Sequence, residues 1–321
     1  MLRRTFLALV SAAVARAQQV IRSESRLVIV PTVVLNEKGA HVPGLTTGDF
    51  QLLDDGTPRA IRVDTPDTGV APVSLIVAVQ CAQLSAAVLA KIHKIGAMIQ
   101  PLVVGDRGEA ALIAFDDDLH IVQDFTSDPD AIADAFARVK SGAPEPSGRM
   151  LDAVELAAKM FAEREPNRRR VLLIVSESRD RGSRLKIECA VQLVQQGGIE
   201  VYAATYSAYA TAFTAKSSDL PPPDYGGDSV PLIPLIFEGA REAKKKAAEI
   251  LAAETGGAHF SFLKQRGLDQ VITSAGADLH SQYVISFTPP ADAAPGLHHI
   301  EIRVKGGAKY QIRARRACWV E

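Results

Sequence analysis

The sequence predicts a doubly wound α/β domain with a mainly parallel central sheet, joined to a small β module built from the N- and C-terminal strands. Three observations carry this. The run Pro72-Val73-Ser74-Leu75-Ile76-Val77-Ala78-Val79 is almost wholly apolar, as a strand covered by helices on both faces must be. From Pro72 to about Thr288 such runs alternate with segments of helical length, the pattern of repeated strand–helix–strand crossovers. Outside that span both ends of the chain are β-rich and broken by turn residues, and neither end alone has enough strands for its own core.

In chain order, Arg3-Arg4 precede the apolar stretch Phe6 to Val14, and Ala15-Arg16-Ala17 offers an Ala-x-Ala cleavage site before Gln18. This is the pattern of a secretory signal peptide over residues 1–17, too short to remain as a span. Arg3-Arg4-Thr5-Phe6-Leu7 also resembles a twin-arginine export motif. The expectation is an exported protein: periplasmic, cell-envelope or extracellular. Residues 18–69 read as the N-terminal β segment. Arg26 to Leu35 is rich in β-branched residues, and Asn36-Glu37-Lys38-Gly39 supplies a turn. Phe50–Leu53 and Arg59–Val63 flank Asp54-Asp55-Gly56-Thr57-Pro58, whose Asp-Gly pair is a strong hairpin signal. Pro66 to Gly69 is a linker.

Residues 70–288 hold the α/β domain. Its predicted strands are Val73–Val79, Gly108–Phe115, Leu119–Asp124, Val171–Val175, Ile199–Ala204 and Ala258–Phe262. The predicted helices are Ala82–Pro101, Pro129–Val139, Arg149–Arg164, Arg184–Gly197, Arg241–Gly256 and Leu268–His280. Asp116-Asp117-Asp118 leaves room only for a hairpin between its strands, so one edge is antiparallel. Asp128 before Pro129 is an expected N-cap, and Gly256 an expected C-cap. Residues 207–240, with Pro221-Pro222-Pro223 and Gly226-Gly227, show neither period and read as an irregular insert. Strands at Gln282–Phe287, Leu297–Val304 and Ala308–Ala314 follow, and 289–321 is the C-terminal β segment, packing with the N-terminal one.

Composition excludes several function classes. Formal net charge is −1; with the three leader arginines taken from 36 basic residues, 33 stand against 37 acidic. Nothing there argues for nucleic acid or an anionic membrane, and no run after the leader approaches the ~20 apolar residues of a spanning helix. Cys81, Cys189 and Cys318 lack metal-ligand spacing; they allow at most one disulfide, whose pair the sequence does not choose. Dinucleotide, P-loop, His-Glu-x-x-His and nucleophile-elbow motifs are missing. His298-His299 would point to opposite faces of a strand. Asp116-Asp117-Asp118 reads as a solvated hairpin tip on the edge opposite the site. Asp152 and Glu155 read as acids serving a helix N-terminus.

In doubly wound sheets ligands bind beyond the carboxyl ends of the strands, so the central strand's ending, Gln80-Cys81-Ala82-Gln83-Leu84-Ser85, marks the candidate site. This region resembles a von Willebrand factor type A domain, whose first strand ends in the metal-site signature Asp-x-Ser-x-Ser. Gln80 takes the Asp position, and Ala82 and Leu84 the two Ser positions. The family's Thr falls on Gly148, ahead of Met150-Leu151-Asp152-Ala153, and its late-strand Asp on Glu177 within Val175-Ser176-Glu177-Ser178. Val42-Pro43-Gly44-Leu45-Thr46-Thr47-Gly48-Asp49-Phe50, Phe125-Thr126-Ser127-Asp128, Glu254-Thr255-Gly256-Gly257 and Ser281-Gln282-Tyr283-Val284 are similar to phrases of acidobacterial-type VWFA-related proteins.

The resemblance implies a type A fold in an exported protein, with a degenerate metal site. One amide and one carboxylate do not hold Mg²⁺, which wants charge and octahedral oxygen ligation. The expected function is therefore a non-enzymatic protein-binding or scaffold module, metal-independent and without cofactor, whose partner is another protein. Two alternatives stand beside it: a hydrolase or redox enzyme using a site near Cys81, and a purely structural envelope component.

Overall fold

The computed structural model describes residues 27–65, 71–82, 86–142, 147–165, 168–177, 179–206, 246–261, 265–306 and 309–320. The signal peptide, Leu84 and the 207–240 insert lie outside the described residues. The strands are β1 (Val28–Leu35), β2 (Phe50–Asp54), β3 (Thr57–Arg59), β4 (Arg62–Asp64), β5 (Val73–Gln80), β6 (Glu109–Phe115), β7 (Leu119–Thr126), β8 (Arg169–Glu177), β9 (Ile199–Tyr206), β10 (His259–Ser261), β11 (Tyr283–Phe287), β12 (Gly296–Val304), β13 (Gln311–Ala314) and β14 (Ala317–Val320). The helices are α1 (Ala86–Ile99), α2 (Pro129–Arg138), α3 (Met150–Ala162), α4 (Ile187–Gln196), α5 (Ala247–Thr255) and α6 (Gln265–Ser281).

The central sheet has the order β10-β9-β8-β5-β6-β7 and is parallel except for β7. All eight residues of β5 are buried, which is why this strand reads as an almost wholly apolar run. Its alternate side chains enter two cores. Leu75, Val77 and Val79 meet α1, α2 and α6 on one face, while Ile76 and Ala78 meet α3, α4 and α5 on the other. From β5 the chain winds outward through β6 and β7, then returns to β5's other side at β8. That reversal puts the topological switch point at the adjoining carboxyl ends of β5 and β8, where such folds open a crevice.

Both chain ends build the second module. Sheets β13-β1-β11-β4 and β14-β12-β2-β3 share one apolar core that includes Val30, Val34, Phe50, Leu52, Ile285, Phe287, Ile300 and Val320. The Asp-Gly turn forms, with φ of 48° at Asp55 and 78° at Gly56, the primed geometry that matches strand twist. The partner strand over Arg59–Val63 is corrected. Thr57–Arg59 pairs with β2, and Arg62–Asp64 crosses to the other sheet to pair with β11. Pro58 offers no N–H, which keeps β3 at its sheet's edge. Strand β11 belongs to the sandwich through β1 and β4, so the seam between modules falls before Tyr283 and not at 288.

Polar side chains cross that seam. Arg313 of β13 and His41 both pair with Asp278 of α6, the latter at 2.8 Å. On the α/β side of the seam, Arg169 of β8 donates to the carbonyl of Leu279 at 3.0 Å and to the Gln282 amide oxygen. The Gln282 amide donates in turn to Glu200 at 3.1 Å. At the α5 end, a Cβ on Gly256 (φ +83°) would lie 2.6 Å from the Ala314–Arg315 backbone.

Candidate functional site

Gln80 closes β5, and its side chain is buried. Its amide nitrogen donates to the carbonyl of Ser147 at 2.7 Å, and its amide oxygen accepts from the Glu177 N–H at 2.8 Å. One side chain therefore joins the ends of β5 and β8 and the loop before α3. A carboxylate has no N–H to offer Ser147, so only an amide of this length makes both bonds.

The room for that amide comes from Gly148. A Cβ at this position would lie 2.5 Å from Gln80 Nε2 and 2.7 Å from its Cδ. Gly148 is held in place by paired backbone bonds with Arg181, 3.1 and 2.9 Å long. The longer side chain at 80 and the missing side chain at 148 are thus complementary. Glu177 is buried and turns its carboxylate to Arg181, 3.5 Å away. Ala82 is buried. Of the five predicted positions the structure brings Gln80, Gly148 and Glu177 together; Ala82 follows in the turn after β5, and Leu84 is not among the described residues.

The placement of Asp116-Asp117-Asp118 on the opposite edge is corrected. Strand β6 runs parallel to β5 with Phe115 beside Gln80, so the turn after it reaches the same edge. There the Arg149 N–H donates to the Asp116 carbonyl at 3.2 Å, the Arg149 guanidinium to the Asp117 carbonyl at 2.9 Å, and the Ser147 hydroxyl to the Asp117 carboxylate. Parallel pairing, invisible in a local reading, decides the edge.

Asp152 does more than favour a helix dipole. Its carboxylate accepts from the N–H of Arg184 at 3.1 Å and of Leu185 at 2.9 Å, and from Arg149 Nε at 2.7 Å. Burial pushes its pKa up, but these N–H groups and the Arg149 charge outweigh burial and hold it below the ordinary range. Asp180 reciprocates by accepting from the Leu151 N–H at 3.1 Å and the Ser183 hydroxyl at 2.6 Å. The first turn of α3 and the 180–185 loop cap each other. Asp152 and Asp180 are thus engaged by backbone N–H groups, while Arg179, Arg184 and Lys186 are exposed beside them.

Cys81 follows Gln80 with its thiol donating to the Val79 carbonyl at 3.6 Å. Burial, with the Asp116 carboxylate adding to it, pushes the thiol up to about 12. A nucleophilic cysteine needs the opposite, an electropositive setting that releases the thiolate. Burial likewise raises the Tyr206 hydroxyl, helped by Glu177 and Cys81. All three cysteines are free, with Cys81 and Cys318 buried and Cys189 exposed.

Sequence reading missed Ser147, Arg149, Asp180 and Arg181 at this edge, since their roles arise from contacts between separate loops. The one signal open to it was size: at the two matching positions a side chain lengthens at 80 and vanishes at 148.

No family model matches the sequence, and no curated protein matches it. Several solved structures are similar. The conserved hypothetical protein BatB from Bacteroides thetaiotaomicron is 14% identical, over 64% of this chain and 98% of that one, with a TM-score of 0.44. A von Willebrand factor type A protein from Catenulispora acidiphila is 11% identical over 85% and 74%, with a TM-score of 0.46. The vWF domain of the type V pili tip protein Mfa5 from Porphyromonas gingivalis is 16% identical over 35% and 40%, with a TM-score of 0.30. These are likenesses of chain course, and the site is argued from its own geometry.

Proposed function

We propose that the chain is an exported, non-enzymatic protein-binding or scaffold module of the type A kind, and that its strand-end edge works without a metal ion. The observation that carries the reading is the Gln80 carboxamide, which bonds Ser147 and Glu177 and fills the space beside Gly148. An intact site of this type ties its loops together through a shared ion. Here a side-chain amide ties them, while Asp152 and Asp180 accept backbone N–H groups and Glu177 faces Arg181. The Gln80 bonds join these segments before any partner arrives, which lowers the ordering cost of binding. The edge's exposed surface carries Arg179, Arg184 and Lys186 beside Asp117 and Asp118, charges that can steer a partner of complementary charge. Against an enzyme using Cys81 stands the raised pKa of that buried thiol. Export rests on the leader pattern. Among the described residues no helix is long and apolar enough to cross a membrane.

Two measurements test this. Calorimetry with Mg²⁺ is expected to give no saturable heat; a micromolar isotherm lost in Glu177→Ala overturns metal independence. Crosslinking in the native envelope is expected to yield a defined protein partner, lost at least tenfold in the double variant Arg179→Glu, Arg184→Glu. A partner retained undiminished by that variant removes this edge as the binding face.

A further inference from the structure

The sandwich holds a cluster that no local reading of the sequence brings together. Strand β2 ends in Asp54, the turn begins with Asp55, and the β2–β12 ladder sets Asp54 opposite Ile300, two residues beyond His298. His298 is buried while His299 on the other face is exposed, as alternation along a strand requires. His298 Nδ1 then lies 2.7 Å from Asp54 Oδ1 and 3.2 Å from Asp55 Oδ2. One ligand atom from each of the three side chains lies within 4.8 Å of the others.

The second polar atom of each side chain is already held from outside the cluster. His298 Nε2 donates to the Ala294 carbonyl at 2.7 Å. Asp54 Oδ2 accepts from Arg59 Nε at 2.8 Å. Asp55 Oδ1 accepts from the His299 N–H at 2.8 Å. This leaves His298 Nδ1, Asp54 Oδ1 and Asp55 Oδ2 converging, one nitrogen and two oxygens oriented by outer hydrogen bonds of the kind that orient metal ligands. The backbone is fixed as well, with the Asp55 N–H donating to the His299 carbonyl at 2.9 Å.

We propose that Asp54, Asp55 and His298 form a binding site for a divalent first-row transition-metal ion such as Zn²⁺, clamping the β2–β3 turn to the start of β12. Imidazole with two carboxylates suits Zn²⁺ or Co²⁺ and not Mg²⁺, which prefers oxygen alone. A four-coordinate ion at about 2.0–2.2 Å from each ligand sets the ligand atoms about 3.3–3.6 Å apart, so the His298–Asp54 contact of 2.7 Å opens by roughly 0.7 Å and the His298–Asp55 contact of 3.2 Å by less. Asp55 is exposed, giving the ion an entry path and open positions for water. The Arg59 charge and the Ala294 carbonyl flank the site without filling those positions. This site is separate from the strand-end edge, and its test is independent of the edge's metal independence.

The chain's single tryptophan makes the test direct. Trp319 sits opposite Leu297 on β14, one residue from His298 along β12. Tag-free, metal-stripped full-length protein at neutral pH is titrated with Zn²⁺ by calorimetry and with Co²⁺ while Trp319 fluorescence is followed. The expected result is saturable 1:1 binding of both ions, quenching by Co²⁺, a higher unfolding midpoint with Zn²⁺, and no response to Mg²⁺. Asp55→Asn keeps the turn, since Asn tolerates the left-handed conformation, and is expected to weaken binding at least tenfold. His298→Gln is expected to abolish it. Failure to saturate in the micromolar range, equal response to Mg²⁺, or undiminished binding in Asp55→Asn overturns the proposal and leaves an ion-pair cluster only.

Discussion

At the scale of single residues, the fit between Gln80 and Gly148 makes a sharp prediction. Gln80→Ala leaves the Ser147 carbonyl and the Glu177 N–H buried without their side-chain partner, a loss of about 1–3 kcal/mol. Gly148→Ala drives a methyl group to within 2.5 Å of the same amide, an overpacking cost of about 1–3 kcal/mol. The two effects share one cause, so the double variant should be destabilised by clearly less than the sum. Denaturant unfolding of the four proteins measures this coupling. Additivity within about 0.5 kcal/mol would show that the amide and the glycine do not act together.

At the scale of elements, the loop–helix junction at α3 rests on Asp152. Replacing it with Asn removes the charge that the Arg184 and Leu185 N–H groups and Arg149 converge on, and a loss of about 1.5–3 kcal/mol at neutral pH is expected. The pH dependence has a definite sign. A carboxylate whose folded pKa is lowered contributes stability above its unfolded pKa of about 3.9 and loses it as pH falls through the folded value. The wild type should therefore lose its advantage over Asp152→Asn below about pH 4; an advantage that persists into stronger acid would contradict this assignment. Helix α5 offers a second case. Gly256 combines φ of +83° with a Cβ position 2.6 Å from the sandwich backbone. Gly256→Ala should therefore cost more than the ~1 kcal/mol typical of a C-cap glycine, and a stability within that range would rule out the close approach.

At the scale of the whole molecule, the two modules are joined by a buried polar network. Asp278 links them through Arg313 and His41, and Glu200 lies on the α/β side beside that link, accepting from Tyr202 Oη at 2.9 Å and from Gln282. Burial, opposed by Arg169, pushes its carboxyl up to about 7. The folded state then keeps a proton that the unfolded chain gives up near pH ~4.3. Stability falls as pH rises from there to about 7, and is unaffected by this group above that. Glu200→Gln removes the titration while keeping the shape. The difference in unfolding free energy between variant and wild type should move in the variant's favour from about pH 5 to about pH 8, then level off. A pH-independent difference would show that Glu200 stays charged in the fold.

Read alone, the residues already set out the layers, the nature of β5 and the reuse of both chain ends in one β module. These follow from apolar periodicity, from turn chemistry such as Asp55-Gly56, and from strand counts too small to stand alone, all of which are local properties. They also pointed to the end of β5, because a buried parallel strand must present its carboxyl end to a crevice. What fills that crevice was settled in three dimensions. The amide bonds of Gln80 span 67 and 97 residues of sequence, and Asp116-Asp117-Asp118 joined the edge through parallel pairing with β5. The same holds for Asp54 and His298, which lie 244 residues apart in the chain. The reason is physical: patterns within a strand or helix are set by its own backbone period, whereas contacts between carboxyl ends, turns and facing strands depend on register, which no single segment encodes.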